Sequence, residues 1–247
     1  MKVVHKIKDN VYKLIFKEPE MFVQFLRNFI PIDILKNVNP DDILDLSERF
    51  LPLYSDNKDS DTIKKIRLNG DKPLYIIAIL EHESEVNYTS SLKMLHYVSH
   101  VLEDFVKEND KKYEEELDKY HKTNLKLSTS KGFKLPPVLP IVFYDGTTKW
   151  TSSMDLLDRT DLSEIFYKYI PKFDYELVDL NQYSRDDLVE FNDLLSLLLI
   201  IDKIRKSEDF DLLNTLPKDY LENIQLNMPK HLLKLLYDCI RLFLMKA

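Results

Sequence analysis

The sequence of 247 residues predicts a mixed α/β fold with an α-helical C-terminal extension. Three observations carry this. Two short apolar runs, LYIIAIL at 74–80 and VLPIVFY at 138–144, read as strands covered on both faces. Residues 9–30 place Val11, Leu14, Ile15, Phe22, Phe25, Leu26 and Phe29 at helical spacing. The last third is leucine-rich, with helical patterns over 186–206, 211–224 and 229–246.

Taken in order, Pro19 should split the N-terminal pattern and open a second helix at its first turn. A strand is expected within 43–54, and 56–60 reads as a polar turn. Residues 61–68 form a strand, Asn69-Gly70 a two-residue hairpin turn, and 74–80 its partner, ending at Glu81-His82-Glu83-Ser84. That turn would set Asp61 opposite Ala78, within one or two residue rises of Glu81. A helix over 88–107 should turn Leu92, Leu95, Val98, Ser99, Leu102 and Phe105 to one side. Residues 119–134, KYHKTNLKLSTSKGFK, hold lysines and no acid and read as a mobile solvated loop. The sharper alternative is a loop that contacts phosphates. Prolines lead into the strand at 138–144, and Asp145-Gly146 turns it.

Composition removes several classes. Thirty-five basic against 42 acidic residues give a net charge of −7, unlike binders that act through bulk positive charge. The single cysteine, Cys239, excludes an internal disulfide framework and a multi-cysteine zinc site. Three glycines, Gly70, Gly132 and Gly146, leave no glycine-rich phosphate loop. The N-terminus lacks a continuous apolar stretch and a small-residue cleavage site, and no run approaches the ~20 residues of a membrane span. A cytoplasmic protein without membrane contact is expected.

Candidate chemistry gathers at the hairpin. A side-chain period of two sets Glu81 and Glu83 on one face, with Asp61 near on the neighbouring strand. Carboxylates converging beside an apolar strand need a cation, and a hard divalent ion such as Mg²⁺ suits oxygen donors. Such an ion can activate water against a phosphodiester. The plainer reading is acidic residues at strand ends. His96 and His100 stand four apart on a helix, yet no E-x-x-H motif accompanies them, which favours packing or hydrogen bonding. Ser84, Ser90 and Ser91 lack a nucleophile context, and Trp150 reads as a packing residue.

Five stretches in order carry a resemblance: DNVYKLIFKEPEMFVQFLRNFIP, SDTIKKIRLNGDKPLYIIAILEHES, LKMLHYVSHVLEDF, LPPVLPIVFYDGTTKW, and FDYELVDLNQYS with the leucine-rich helix after it. Together they resemble the Rpn family of recombination-promoting nucleases, also called transposase-like, within the PD-(D/E)xK nuclease superfamily. The resemblance implies a restriction-endonuclease-like core over residues 1–180, a small mixed β-sheet flanked by helices. Residues 181–247 would be a helical extension packed on it. It implies a DNA endonuclease using Mg²⁺ (or Mn²⁺), with Asp61 and Glu81 as metal ligands and Asp9 of the first helix assisting. DNA is the implied partner, and a homo-oligomer is compatible.

One departure matters. The superfamily places lysine two residues after the glutamate, and many relatives place glutamine; this chain has Glu83. Lys93 of the following helix could reach back to supply the cation, as relocated lysines do in the superfamily. Glu83 would then be a third ligand. The alternative is a catalytically degenerate DNA- or protein-binding module.

Overall fold

Proline at position 19 makes the first joint of the chain. Its ring is tolerated in the first turn of a helix. In the computed structural model it opens α2 (Pro19–Phe29), just after α1 (Lys2–Lys17). The structure describes residues 2–47, 62–68, 74–118, 126–204, 209 and 211–244.

The fold is mixed α/β. Five strands form one sheet in chain order: β1 (Ile43–Asp45), β2 (Thr62–Leu68), β3 (Leu74–Glu83), β4 (Val138–Tyr144) and β5 (Glu176–Asp179). The first three pair antiparallel, and β3–β4 and β4–β5 pair parallel. Pro140 is tolerated inside β4 because β5 joins only from Ile141 onward. The strand expected within 43–54 is thus present as β1, and residues 48–54 lie outside the described residues.

The hairpin departs from the expected register. Leu68 pairs with Leu74 and Thr62 with Leu80, so residues 69–73 link the strands where the sequence predicts a two-residue turn. The apolar run begins only at Leu74, so the ladder opens there rather than directly after Asn69-Gly70. Ala78 therefore faces Lys64 rather than Asp61, which lies outside the described residues. β3 also runs past its predicted end at 80. Parallel pairing carries it through Glu81, opposite Val142, to Glu83, opposite Tyr144.

Alternation along β4 divides two layers. Ile141 and Phe143 face a core built with α1, α2, α6 (Leu194–Asp202) and α9 (Leu232–Leu244). Val142 and Tyr144 face the other layer, with Ile63, Met94 and Val101. Phe143 is the aromatic hub of the first core, 4.8 Å from the Tyr12 ring and 5.8 Å from Phe16. Helix α3 (Ser90–Asp118) covers the second face through Met94, Tyr97, Val98 and Val101. The expected stripe is shifted, for Leu92 and Ser99 are exposed.

The helix predicted over 186–206 is two. Asn192 takes a left-handed φ of 54° and ends α5 (Arg185–Phe191), and Asp193 caps α6 with its side chain on the Ser196 amide. Gln24 Oε1 accepts from the Leu195 amide at 2.8 Å, and Asn28 donates to Asp193 at 2.7 Å, so α2 side chains finish the start of α6. The pattern at 211–224 likewise breaks at Pro217, into α7 (Asp211–Asn214) and α8 (Lys218–Asn227). A short α4 (Ser163–Phe166) lies between β4 and β5. Among the described residues no helix is long and apolar enough to cross a membrane.

Lys64 is fully buried on the α2 side of the sheet, with its ammonium 5.9 Å from the Phe22 ring centre. It donates to Asp45 Oδ2 at 2.8 Å and to the Lys17 carbonyl at 3.3 Å. Burial pushes the Lys64 pKa down, against the pull of Asp45. For Asp45 burial raises the pKa, but hydrogen bonds from Lys64 and Ser47 win and leave it below the ordinary value. Its contribution to stability is therefore full above the unfolded pKa of 3.8 and lost as pH falls through the folded one.

Asp45→Asn should strand a buried ammonium and cost about 3 kcal/mol in urea unfolding. Lys64→Met should cost less than about 1 kcal/mol, because it removes the buried charge and leaves a partly exposed carboxylate to water. Equal losses in the two variants would contradict this account of the pair.

Candidate functional site

At the end of the sheet where β3 and β4 finish together, the chain turns into α3. Asn87 builds that turn: its Oδ1 accepts from the Thr89 amide at 2.9 Å and the Thr89 hydroxyl at 2.8 Å, and its carbonyl accepts from Ser90 Oγ at 2.8 Å. The Asn87 amide donates to Glu83 Oε1 at 3.2 Å. Lys93 falls in the first turn of α3 and brings Nζ to 3.7 Å from the same oxygen. Two sequence-predicted site residues are thus together, both part-buried, with side chains 16% exposed for Glu83 and 32% for Lys93.

The other candidates fall as follows. Glu81 stands two residues before Glu83 on β3, paired with Val142. Asp61 lies outside the described residues, and Thr62 pairs with Leu80. Asp9 lies in α1, on the opposite layer of the sheet. Tyr12, three residues on, packs against Phe143, and the Lys17 carbonyl reaches Lys64 in mid-strand. α1 therefore starts at the same end of the sheet as Glu81 and Glu83. Ser90 and Ser91 are buried at the start of α3, with Ser90 Oγ engaged by the turn. His96 and His100 join no group of three ligating side chains among the described residues.

An aromatic wall borders Glu83. The Asp145 amide donates to the Glu83 carbonyl at 3.1 Å, and Tyr144 donates to the Thr148 carbonyl at 2.7 Å. Trp150 packs edge-on against Tyr144 at 4.9 Å between ring centres, as its packing role predicts. The Tyr175 hydroxyl donates to the Ser153 carbonyl at 3.2 Å. Burial pushes the Tyr175 phenol up, and the Glu83 charge adds to that, against the lowering influence of Trp150 and Ser152. Trp150 Nε1 and Ser152 Oγ are buried without a well-formed hydrogen bond. Sequence reasoning missed Asn87, although Asn-x-Thr before a helix is an Asx-turn signal. Tyr175 carried no local signal at all.

The lysine segment is only half described, and that half is largely exposed, as a solvated loop should be, yet it is tied to α3. Ser128 donates through its amide at 2.8 Å and its hydroxyl at 2.7 Å to Asp110, and Phe133 lies 6.0 Å from Phe105. Residues 126–134 are thereby fixed along α3, with Lys126, Lys131 and Lys134 exposed.

With this geometry in view, the comparisons with known proteins give one decisive result. A family model described as "putative transposase, YhgA-like" matches residues 6–230. The chain belongs to this family. The match takes in most of α1, every strand and the helices through α8, and it agrees with the resemblance to Rpn proteins read from the sequence. No curated protein and no solved structure gives a significant match. In this YhgA-like chain the glutamates of β3, the turn at Asn87 and Lys93 all lie within the matched region.

Gly146 lets the turn after β4 pass over the Tyr144 ring, since a Cβ there would overlap the buried ring. Gly146→Ala should cost about 1–3 kcal/mol by forcing that ring aside. The single tryptophan, Trp150, reports it: its fluorescence should change in the folded variant. Unchanged stability and emission would mean the ring relaxes freely.

Proposed function

We propose that this YhgA-like protein is a DNA endonuclease of the Rpn type, dependent on Mg²⁺ or Mn²⁺, that acts in the cytoplasm on recombination or mobile-element DNA. The observation that carries the reading is Lys93. The superfamily places a lysine ammonium at the end of this strand, or in many relatives a glutamine; position 83 holds a carboxylate here, and Lys93 Nζ stands 3.7 Å from it. Positive charge beside a transferring phosphate stabilises the charge that develops there. The mixed sheet with helices on both faces supports a restriction-endonuclease-like core.

The donor set suits the metal, because Asp61, Glu81 and Glu83 offer only carboxylate oxygens, which hard cations prefer. On this reading Asp61 and Glu81 hold the ion, assisted by Asp9 from α1. What the ion supplies is activation of water and compensation of phosphate charge. Glu83 fixes the Lys93 ammonium, and Asn87 fixes Glu83. Exposed Lys126, Lys131 and Lys134 offer sequence-independent phosphate contacts.

Glu83 itself favours a second reading, a degenerate module on the same fold that binds DNA or protein without cutting. Cleavage of supercoiled plasmid separates the two. The enzyme should nick in Mg²⁺ or Mn²⁺, and Asp61→Ala, Glu81→Ala and Lys93→Ala should each lower the rate about 10²–10³-fold without unfolding the protein. A parent no more active than Asp61→Ala, with cleavage created by Glu83→Lys, would establish the degenerate reading instead.

A further inference from the structure

A second group of ligating side chains lies away from the β3 end. Glu18 and Glu20 sit at the α1–α2 joint, and His231 directly precedes α9. One ligand atom from each lies within 4.8 Å of the others, and His231 Nε2 is 3.2 Å from Glu20 Oε1. Among the described residues no other group of three histidine, cysteine or carboxylate side chains comes so close.

Two features separate this group from an ordinary ion pair. The first is the mixed donor set, two carboxylates and an imidazole, brought together from positions 18, 20 and 231 by the packing of α9 on α1. A carboxylate cluster alone suits hard ions, whereas an added imidazole suits zinc and its first-row neighbours. The second is spacing. Oxygen and nitrogen ligands at 2.0–2.1 Å from a tetrahedral ion stand roughly 3.3 Å apart. The His231–Glu20 pair already has that separation, and Glu18 needs only side-chain rotation to join. Glu18 is the N-cap residue of α2, yet its carboxylate makes no capping hydrogen bond, so helix formation does not require it there. His231 is 56% exposed and Glu20 26%, which leaves a path for entry and for water as the fourth ligand.

We propose that Glu18, Glu20 and His231 form a structural site for a first-row transition ion, represented by Zn²⁺, that ties the N-terminal helix pair to the C-terminal helix. The site is independent of the proposed nuclease centre, and His231 lies one residue beyond the stretch that the family model matches. Bound ion raises stability by linkage, because the unfolded chain does not hold these three groups together.

Thermal unfolding of the chelator-treated full chain, with micromolar ZnCl₂ and separately with MgCl₂, tests this. At a hundredfold excess over Kd, Zn²⁺ should raise the melting temperature by about 5–10 °C, and equal MgCl₂ should not. His231→Ala and Glu20→Gln should melt close to the parent without metal and lose at least about tenfold in Zn²⁺ affinity by calorimetry. Asp61→Ala should keep the full Zn²⁺ shift, which separates this site from the nuclease reading. No Zn²⁺ binding in the micromolar range, or the same shift in His231→Ala as in the parent, would overturn the proposal.

Discussion

Parallel pairing of β3 with β4 forces the chain to leave one end of the sheet and re-enter at the other. The rest of the architecture follows from that constraint. A hairpin cannot make the connection, so a helix must cross a face of the sheet, and α3 does so. Its 29 residues span about 43 Å, longer than the roughly 33 Å of ten-residue β3. Segment 126–134 folds back along its surplus length, held by Asp110 and Phe105. Because α3 must start where β3 stops, its first turn delivers Lys93 to Glu83. The polar end of the strand and its cation are products of one topological requirement.

The opposite face is closed by both ends of the chain. α1 and α2 meet α6 and α9 in one apolar core, and Gln24 and Asn28 complete the capping of α6. Burial pushes the Asp193 pKa up, even though hydrogen bonds from Ser196 and Asn28 oppose the shift. The C-terminal helices therefore share a core with the N-terminal ones. Lys64 inserts a buried charge in that layer, held by Asp45 of β1, so the short edge strand is fastened by an ion pair as well as by its ladder.

Much of this was legible in the residues. Pro19, the apolar runs of β3 and β4, and the meeting of Lys93 with Glu83 all follow from local chemistry and from the brevity of the β3–α3 connection. The hairpin register did not, because Asn69-Gly70 is a strong local turn signal, whereas the ladder opens only where Leu68 meets Leu74. The break at Asn192-Asp193 was masked by apolar residues on both sides, although Asp-x-x-Ser is a capping pattern. The burial of Lys64 has no local signal, since it depends on the long-range contact with Asp45. The docking of 126–134 depends equally on a distant partner, Asp110. What stays hidden in each case is a pairing across many residues.

The crossover brings the Lys93 ammonium and the Glu83 carboxylate into one interacting unit. A double-mutant cycle with Glu83→Gln and Lys93→Met, read by urea unfolding, measures it directly. The expected result is a favourable coupling of about 0.5–1 kcal/mol, in keeping with a part-buried pair at 3.7 Å. Losses that add within about 0.3 kcal/mol would contradict it, and would leave the Glu83 end of β3 without a coupled cation.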